Sequence, residues 1–163
     1  MNCQNCGAPL ELGNSQTFLT CDYCLSSRCL EIATDDGDRV VPLDQPSGVD
    51  CPCCELELVE AAVDGRPAKY CDQCRGILIE APVFAQVSWN RRVKYRGPEL
   101  TPSPVDPEEI QRSLDCPQCQ QPMEVHPHYG SGRAVIDSCH RCHLVWLDNS
   151  ELTKIERTPG RRS

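Results

Sequence analysis

Apolar and polar residues alternate along this chain in short stretches set apart by turn residues. Leu56-Glu57-Leu58-Val59 alternates as a half-buried strand does, Asp64-Gly65 is a hairpin turn, and Ala68-Lys69-Tyr70 makes the return. The same order recurs later, with Met123-Glu124-Val125, a glycine-rich turn over 130–132, and Ala134-Val135-Ile136. An earlier, weaker copy runs over Ala8 to Leu12, turns at Gly13-Asn14-Ser15 and returns over 16–20. Between these copies, 39–43 reads as a brief strand, and Asp44-Gln45-Pro46-Ser47-Gly48 is expected to break regular structure.

Helical signals appear in three places. Pro82 suits a first helical position, and Val83, Phe84 and Val87 give an imperfect apolar face to a helix ending near Val93, with Trp89 at its margin. Asp106 as cap, Pro107 at the first position and Glu109 at the third predict a short helix to Leu114. Asp148-Asn149-Ser150-Glu151 repeats that logic before Leu152 and Ile155, for a helix to about Arg157. Trp146, at the end of the preceding strand, is expected to pack with Leu152 and Ile155, with Asp148 as the helix cap. Residues 97–105 form a proline-rich, extended linker, expected to let the last unit fold alone.

Composition changes the picture. With 14 cysteines in 163 residues and only 5% aromatics, the chain cannot build one large apolar core and needs a staple. Twelve of the cysteines fall into three sets of two Cys-x-x-Cys pairs: Cys3, Cys6, Cys21 and Cys24; Cys51, Cys54, Cys71 and Cys74; Cys116, Cys119, Cys139 and Cys142. Each pair forms a tight turn that aims two thiolates at one ion, and two such turns make a tetrahedral zinc site. Three Zn2+ per chain follow. Disulfides are the alternative. The repeated couplet argues against them, as does an amino-terminal stretch with neither a basic segment nor an apolar run, so a reducing, cytoplasmic compartment is expected. Cys29 and Cys53 lie outside the sets and read as ordinary free thiols, or as thiols that exchange with a ligand on oxidation. His126, His128, His140 and His143 are not needed as ligands where four cysteines already stand at the right spacing.

The organisation that results is a small, metal-stabilised, β-rich fold. It comprises zinc ribbon 1 (1–30), a connector (31–50), zinc ribbon 2 with its helix (51–96), a linker and short helix (97–115), zinc ribbon 3 with its helix (116–157) and a fraying tail (158–163). The formal charge is −8. Each filled four-thiolate site adds roughly −2, which takes the total to about −14. Binding to nucleic acid needs basic surface, so the balance disfavours it. The one basic cluster, Arg91, Arg92, Lys94 and Arg96 beside Trp89 and Tyr95, reads either as a solvated helix end or as a contact for phosphates and bases.

The second and third sets also share their sequel. Gly76-Ile77-Leu78-Ile79-Glu80 falls on Leu144-Val145-Trp146-Leu147-Asp148, and Phe84 falls on Leu152. Both run from knuckle to apolar triplet, acidic residue and helix. This resembles the transcription-factor-IIB-type zinc ribbon family. Cys116-Pro117-Gln118-Cys119, Trp146-Leu147-Asp148 and Glu151-Leu152 match its pattern, while His143, Leu144 and Ser150 replace its usual glycines. The second ribbon keeps Gly76 but has Leu78 where the tryptophan stands. The first, with Gly7-Ala8-Pro9-Leu10 and Cys21-Asp22-Tyr23-Cys24, resembles a common bacterial ribbon opening, with Leu25 in place of a glycine. The resemblance implies structural zinc and no catalysis. Small rigid hairpin tips and an acidic surface point to an adaptor for a protein partner with basic surface, transcription-linked by analogy with the family. Nucleic-acid binding through 89–96 is the alternative, and a redox- or zinc-responsive switch is the third reading. No catalytic constellation is legible.

Overall fold

The short alternating segments become nine strands and three helices among the described residues, which in a computed structural model are 2–3, 5–9, 18–25, 27–29, 38–99, 106–128 and 134–159. The turns expected at 13–15 and 130–132, most of the linker and the end of the tail lie outside them. In the first unit, β1 (Phe18–Thr20) pairs antiparallel with β2 (Ser27–Cys29) across the second knuckle.

The rest forms one antiparallel sheet. Its strands are β3 (Val40–Asp50), β4 (Glu57–Val63), β5 (Arg66–Tyr70), β6 (Ile77–Glu80), β7 (Glu124–His128), β8 (Ala134–Cys139) and β9 (Leu144–Leu147), in the order β3-β4-β5-β6-β9-β8-β7. The second ribbon supplies β4-β5-β6 and the third supplies β9-β8-β7. The two three-stranded units are joined edge to edge through β6 and β9, where the sequence reading had them independent. Leu78 and Trp146 hold the same place in their ribbons, and they face each other. Ile77 pairs with Leu147, and Ile79 with Val145. A local two-fold axis therefore passes through the Leu78–Trp146 pair.

The 39–43 segment also goes further than expected. It extends to Asp50 as the edge strand of the sheet, with register shifts between Pro42 and Pro46 and between Pro46 and Asp50. The residues expected to break structure bulge the strand instead of ending it. Asp44 (φ 53°) and Gly48 (φ 74°) take the left-handed turns, and prolines are tolerated because an edge strand need not donate on its outer side.

Alternation along β6 and β9 sorts two cores to opposite faces. Ile77, Ile79, Val145 and Leu147 pack against Phe84 and Val87 of α1 (Ala81–Lys94) and Leu152 and Ile155 of α3 (Glu151–Arg157). Leu78 and Trp146 point the other way, into a core with Leu58, Leu114, Met123 and the inner cysteines. Trp146 therefore does not pack with Leu152 and Ile155. Its neighbours in the strand do, because side chains one residue apart take opposite faces. The indole is fully buried and lies over Gly76, where an added Cβ would sit 2.1 Å from Cζ2. Only a glycine fits beneath it. The short helix α2 (Pro107–Gln111) starts as predicted, with the Asp106 carboxylate accepting from the Glu108 amide at 2.9 Å, but it ends at Gln111 and not at Leu114.

Candidate metal centres

All six Cys-x-x-Cys turns use one local device. The residue after the second cysteine has positive φ: Gly7 (75°), Leu25 (59°), Glu55 (60°), Arg75 (61°), Gln120 (61°) and His143 (55°). That backbone lets its amide return to the carbonyl of the first cysteine, at 2.8 Å for Gly7 to Cys3 and for Gln120 to Cys116. The amides inside the turn then point at the first sulfur. Those of Cys53 and Cys54 donate to Cys51 Sγ at 3.4 and 3.3 Å, and that of Cys142 to Cys139 Sγ at 3.4 Å. Such donors stabilise thiolate over thiol. Five of the six positions are not glycine, although a left-handed residue costs about 1 kcal/mol there. Only Gly7 is legible as such a position from residue type.

The twelve cysteines singled out by spacing come together as three sets of four, with the sulfurs of each set within 4.8 Å of one another. Measured separations are 3.7 Å for Cys3–Cys24, 3.6 Å for Cys6–Cys21, 3.7 Å for Cys51–Cys74 and 3.6 Å for Cys119–Cys139. A tetrahedral site with Zn–S bonds of ~2.3 Å places its sulfurs ~3.8 Å apart, whereas a disulfide needs ~2.05 Å. The sets thus fit zinc and are not disulfides. Burial pushes the Cys51, Cys74 and Cys116 thiols up. A divalent ion is what makes four thiolates tolerable beside an apolar core. The chain binds three Zn2+, one per set.

The second and third centres share that core. Cys51 and Cys71 from one, and Cys116 and Cys139 from the other, border the cluster built on Leu78 and Trp146. The indole Nε1 donates to Asp148 Oδ1 at 3.1 Å, and Arg112 bridges Asp148 (2.8 Å) to the fully buried Asp137 (2.7 Å). Asp148 is thereby occupied and does not cap α3 with its side chain; Ser150 occupies the cap position at φ 73° without a side-chain bond. The cap comes from the connector instead. Asp38, fully buried, accepts from the Ser150 amide (2.8 Å), the Thr153 amide (2.8 Å) and Thr153 Oγ1 (2.6 Å). Nothing local to Asp38 announces this role, because the partners lie more than a hundred residues away.

Cys53 is exposed at the tip of its knuckle, outside the four-cysteine set; the side chain of Cys29 lies outside the described residues. None of the histidines joins a cysteine set. His140 meets Glu124, His126 meets Ser138 Oγ at 3.0 Å, His143 is exposed, and His128 stacks near Phe84 with its pKa pushed down to about 4 by burial. In the basic cluster, Arg91 and Arg92 are buried. Arg91 forks onto Asp64 at 2.7 and 3.0 Å and reaches the Asp38 carbonyl at 2.6 Å. Arg92 caps the end of α3 through the carbonyls of Ile155 (3.0 Å) and Thr158 (3.2 Å). Both are structural, so this half of the cluster is not a solvated helix end. Trp89, Lys94 and Arg96 stay exposed.

Residues 50–82 and 115–158 match the family model described as "Transcription factor zinc-finger". No curated protein and no solved structure matches the chain.

Proposed function

We propose, from its membership of the transcription-factor-IIB-type zinc-ribbon family over residues 50–82 and 115–158, that this protein is a non-enzymatic adaptor that docks on a protein partner. The observation that carries this reading is closure of the metal centres. Each set supplies four thiolates, which fills a tetrahedral ion and leaves no position for substrate or water. Zinc then serves to hold surfaces in place. The charge of −8, deepened by the thiolate centres, suits a partner with basic surface, and a transcription-linked partner is the natural candidate by family. Reduced thiolates suit the cytoplasm, and among the described residues no helix is long and apolar enough to cross a membrane.

The nucleic-acid reading loses ground, since Arg91 and Arg92 are committed to Asp64 and to α3. The switch reading keeps Cys53 beside Cys54 as its one exposed thiol outside a set, among the described residues. The test is capture on the full-length, zinc-loaded chain from its native host, with a salt series and a duplex-DNA control. Retention of transcription proteins with basic surface, lost as salt rises, supports the adaptor. Salt-dependent retention of DNA, or a zinc-dependent turnover of any substrate, sinks it.

A further inference from the structure

Apart from the metal centres, the charge distribution has one anomaly. A cleft of about 560 Å³ opens where the start of β3, the β4–β5 turn, the end of α1 and α3 meet. Five cations line it, Arg39, Arg66, Arg91, Lys94 and Arg96, against two carboxylates, Asp64 and Glu156. The cleft is strongly positive in a chain of net −8.

The two carboxylates are already spoken for. Asp64 holds Arg91, and Glu156 holds Arg39 at 3.0 Å. That leaves Arg66, Lys94 and Arg96 with no ion pair among the described residues. The floor is rigid: Arg91 is 4% exposed, tied at three points, and keeps one guanidinium nitrogen, NH1, without a partner. Arg39 stands on a left-handed backbone at φ 54°, between the buried Asp38 and Val40, and is tied to Glu156. Asn90 adds an amide at the wall. Converging cations on a fixed floor are how proteins hold phosphate, and the volume falls in the range of small-ligand sites.

We propose that this cleft binds the phosphate group of a small phosphorylated ligand, up to about nucleotide size. A small ligand fits better than a polymer. Nucleic acid would have to lie along an acidic surface beyond the cleft, whereas a single mono- or diphosphate needs only the cleft itself. The site is independent of the adaptor reading, since it shares no residue with the metal centres.

The test uses the full-length, zinc-loaded protein, inorganic pyrophosphate and a single-stranded oligonucleotide as probes, and amide NMR as the readout. Pyrophosphate should give saturable shifts confined to residues around 39, 64–66 and 90–96. In the double variant Arg66→Gln, Lys94→Gln, binding should weaken by about tenfold or more per lost cation. Both side chains lack ion pairs in the fold, so this variant should keep its zinc and its spectrum elsewhere. Lys69→Gln, a half-exposed cation outside the cleft, should leave pyrophosphate affinity unchanged. Absence of saturation, unchanged affinity in the double variant, or an oligonucleotide that binds more tightly than pyrophosphate at this cleft would each overturn the proposal.

Discussion

The second and third ribbons are two copies of one design, and they differ where they meet. At the local two-fold axis the second presents Gly76 and Leu78, and the third presents Leu144 and Trp146. A large indole thus lies over a glycine on one side, while Leu78 and Leu144 share the same core on the other. The residues that fill the core therefore differ across the axis. The lesson is that the copies have been adjusted as a pair. Their outer parts differ as well. The second ribbon has its free edge covered by β3, and its helix α1 runs 14 residues. The third has a helix of 7 residues whose start is capped by Asp38 and whose end is capped by Arg92. The shorter copy leans on the longer one.

The strongest way to break the comparison is to remove one zinc. Cys139→Ser empties the third centre, and loss of a four-thiolate site removes on the order of 10 kcal/mol of folding free energy. Because Cys51, Cys71, Cys116 and Cys139 border one core, residues 40–157 should lose amide dispersion together. Survival of a folded 51–96 segment would show that the ribbons are merely adjacent. The first centre, in its own two-stranded sheet, should persist.

The axis itself is probed next. Trp146→Ala should cost about 3–5 kcal/mol, and Gly76→Ala about 1–3 kcal/mol through overpacking beneath the indole. Gly76→Ala combined with Trp146→Leu makes this side of the axis resemble the other. Denaturant unfolding should find the double variant more stable than the sum of the two single changes. Strict additivity would mean that the glycine and the indole do not constrain each other.

A smaller effect tests how far α3 depends on the rest of the chain. Asp38→Ala strands three donors and should cost about 2 kcal/mol. Hydrogen exchange should speed up first over 150–157, far from the substitution in sequence. If exchange rises only near residue 38, the cap is dispensable.

The last test is one of pH. Burial raises the Glu151 carboxyl from 4.5 to about 9, with the Asp148 carboxylate adding to it. A raised acid binds its proton more tightly in the folded state, so this group's contribution is full below pH 4.5 and falls as pH rises towards 9. The melting temperature should therefore drift down between pH 6.5 and about 9, within that window. Glu151→Gln keeps an acceptor for the Asp148 amide (2.7 Å) and should flatten the drift. Equal slopes in both proteins would remove Glu151 from the account.

The metal ligands were legible in the sequence, because four thiolates at one ion require two tight turns, and a tight turn is a local pattern. The hairpins of the second and third ribbons and the places of the three helices were legible too, since apolar periods and prolines are read within a few residues. The joining of the second and third ribbons through β6 and β9 was not legible there. Each exposes an edge whose partner no local pattern names. The same holds for the face that Trp146 takes, the bulged edge strand over Val40–Asp50, the cap from Asp38 and the burial of Arg91 and Arg92. In each case, the deciding contact lies beyond the few residues over which local patterns can be read.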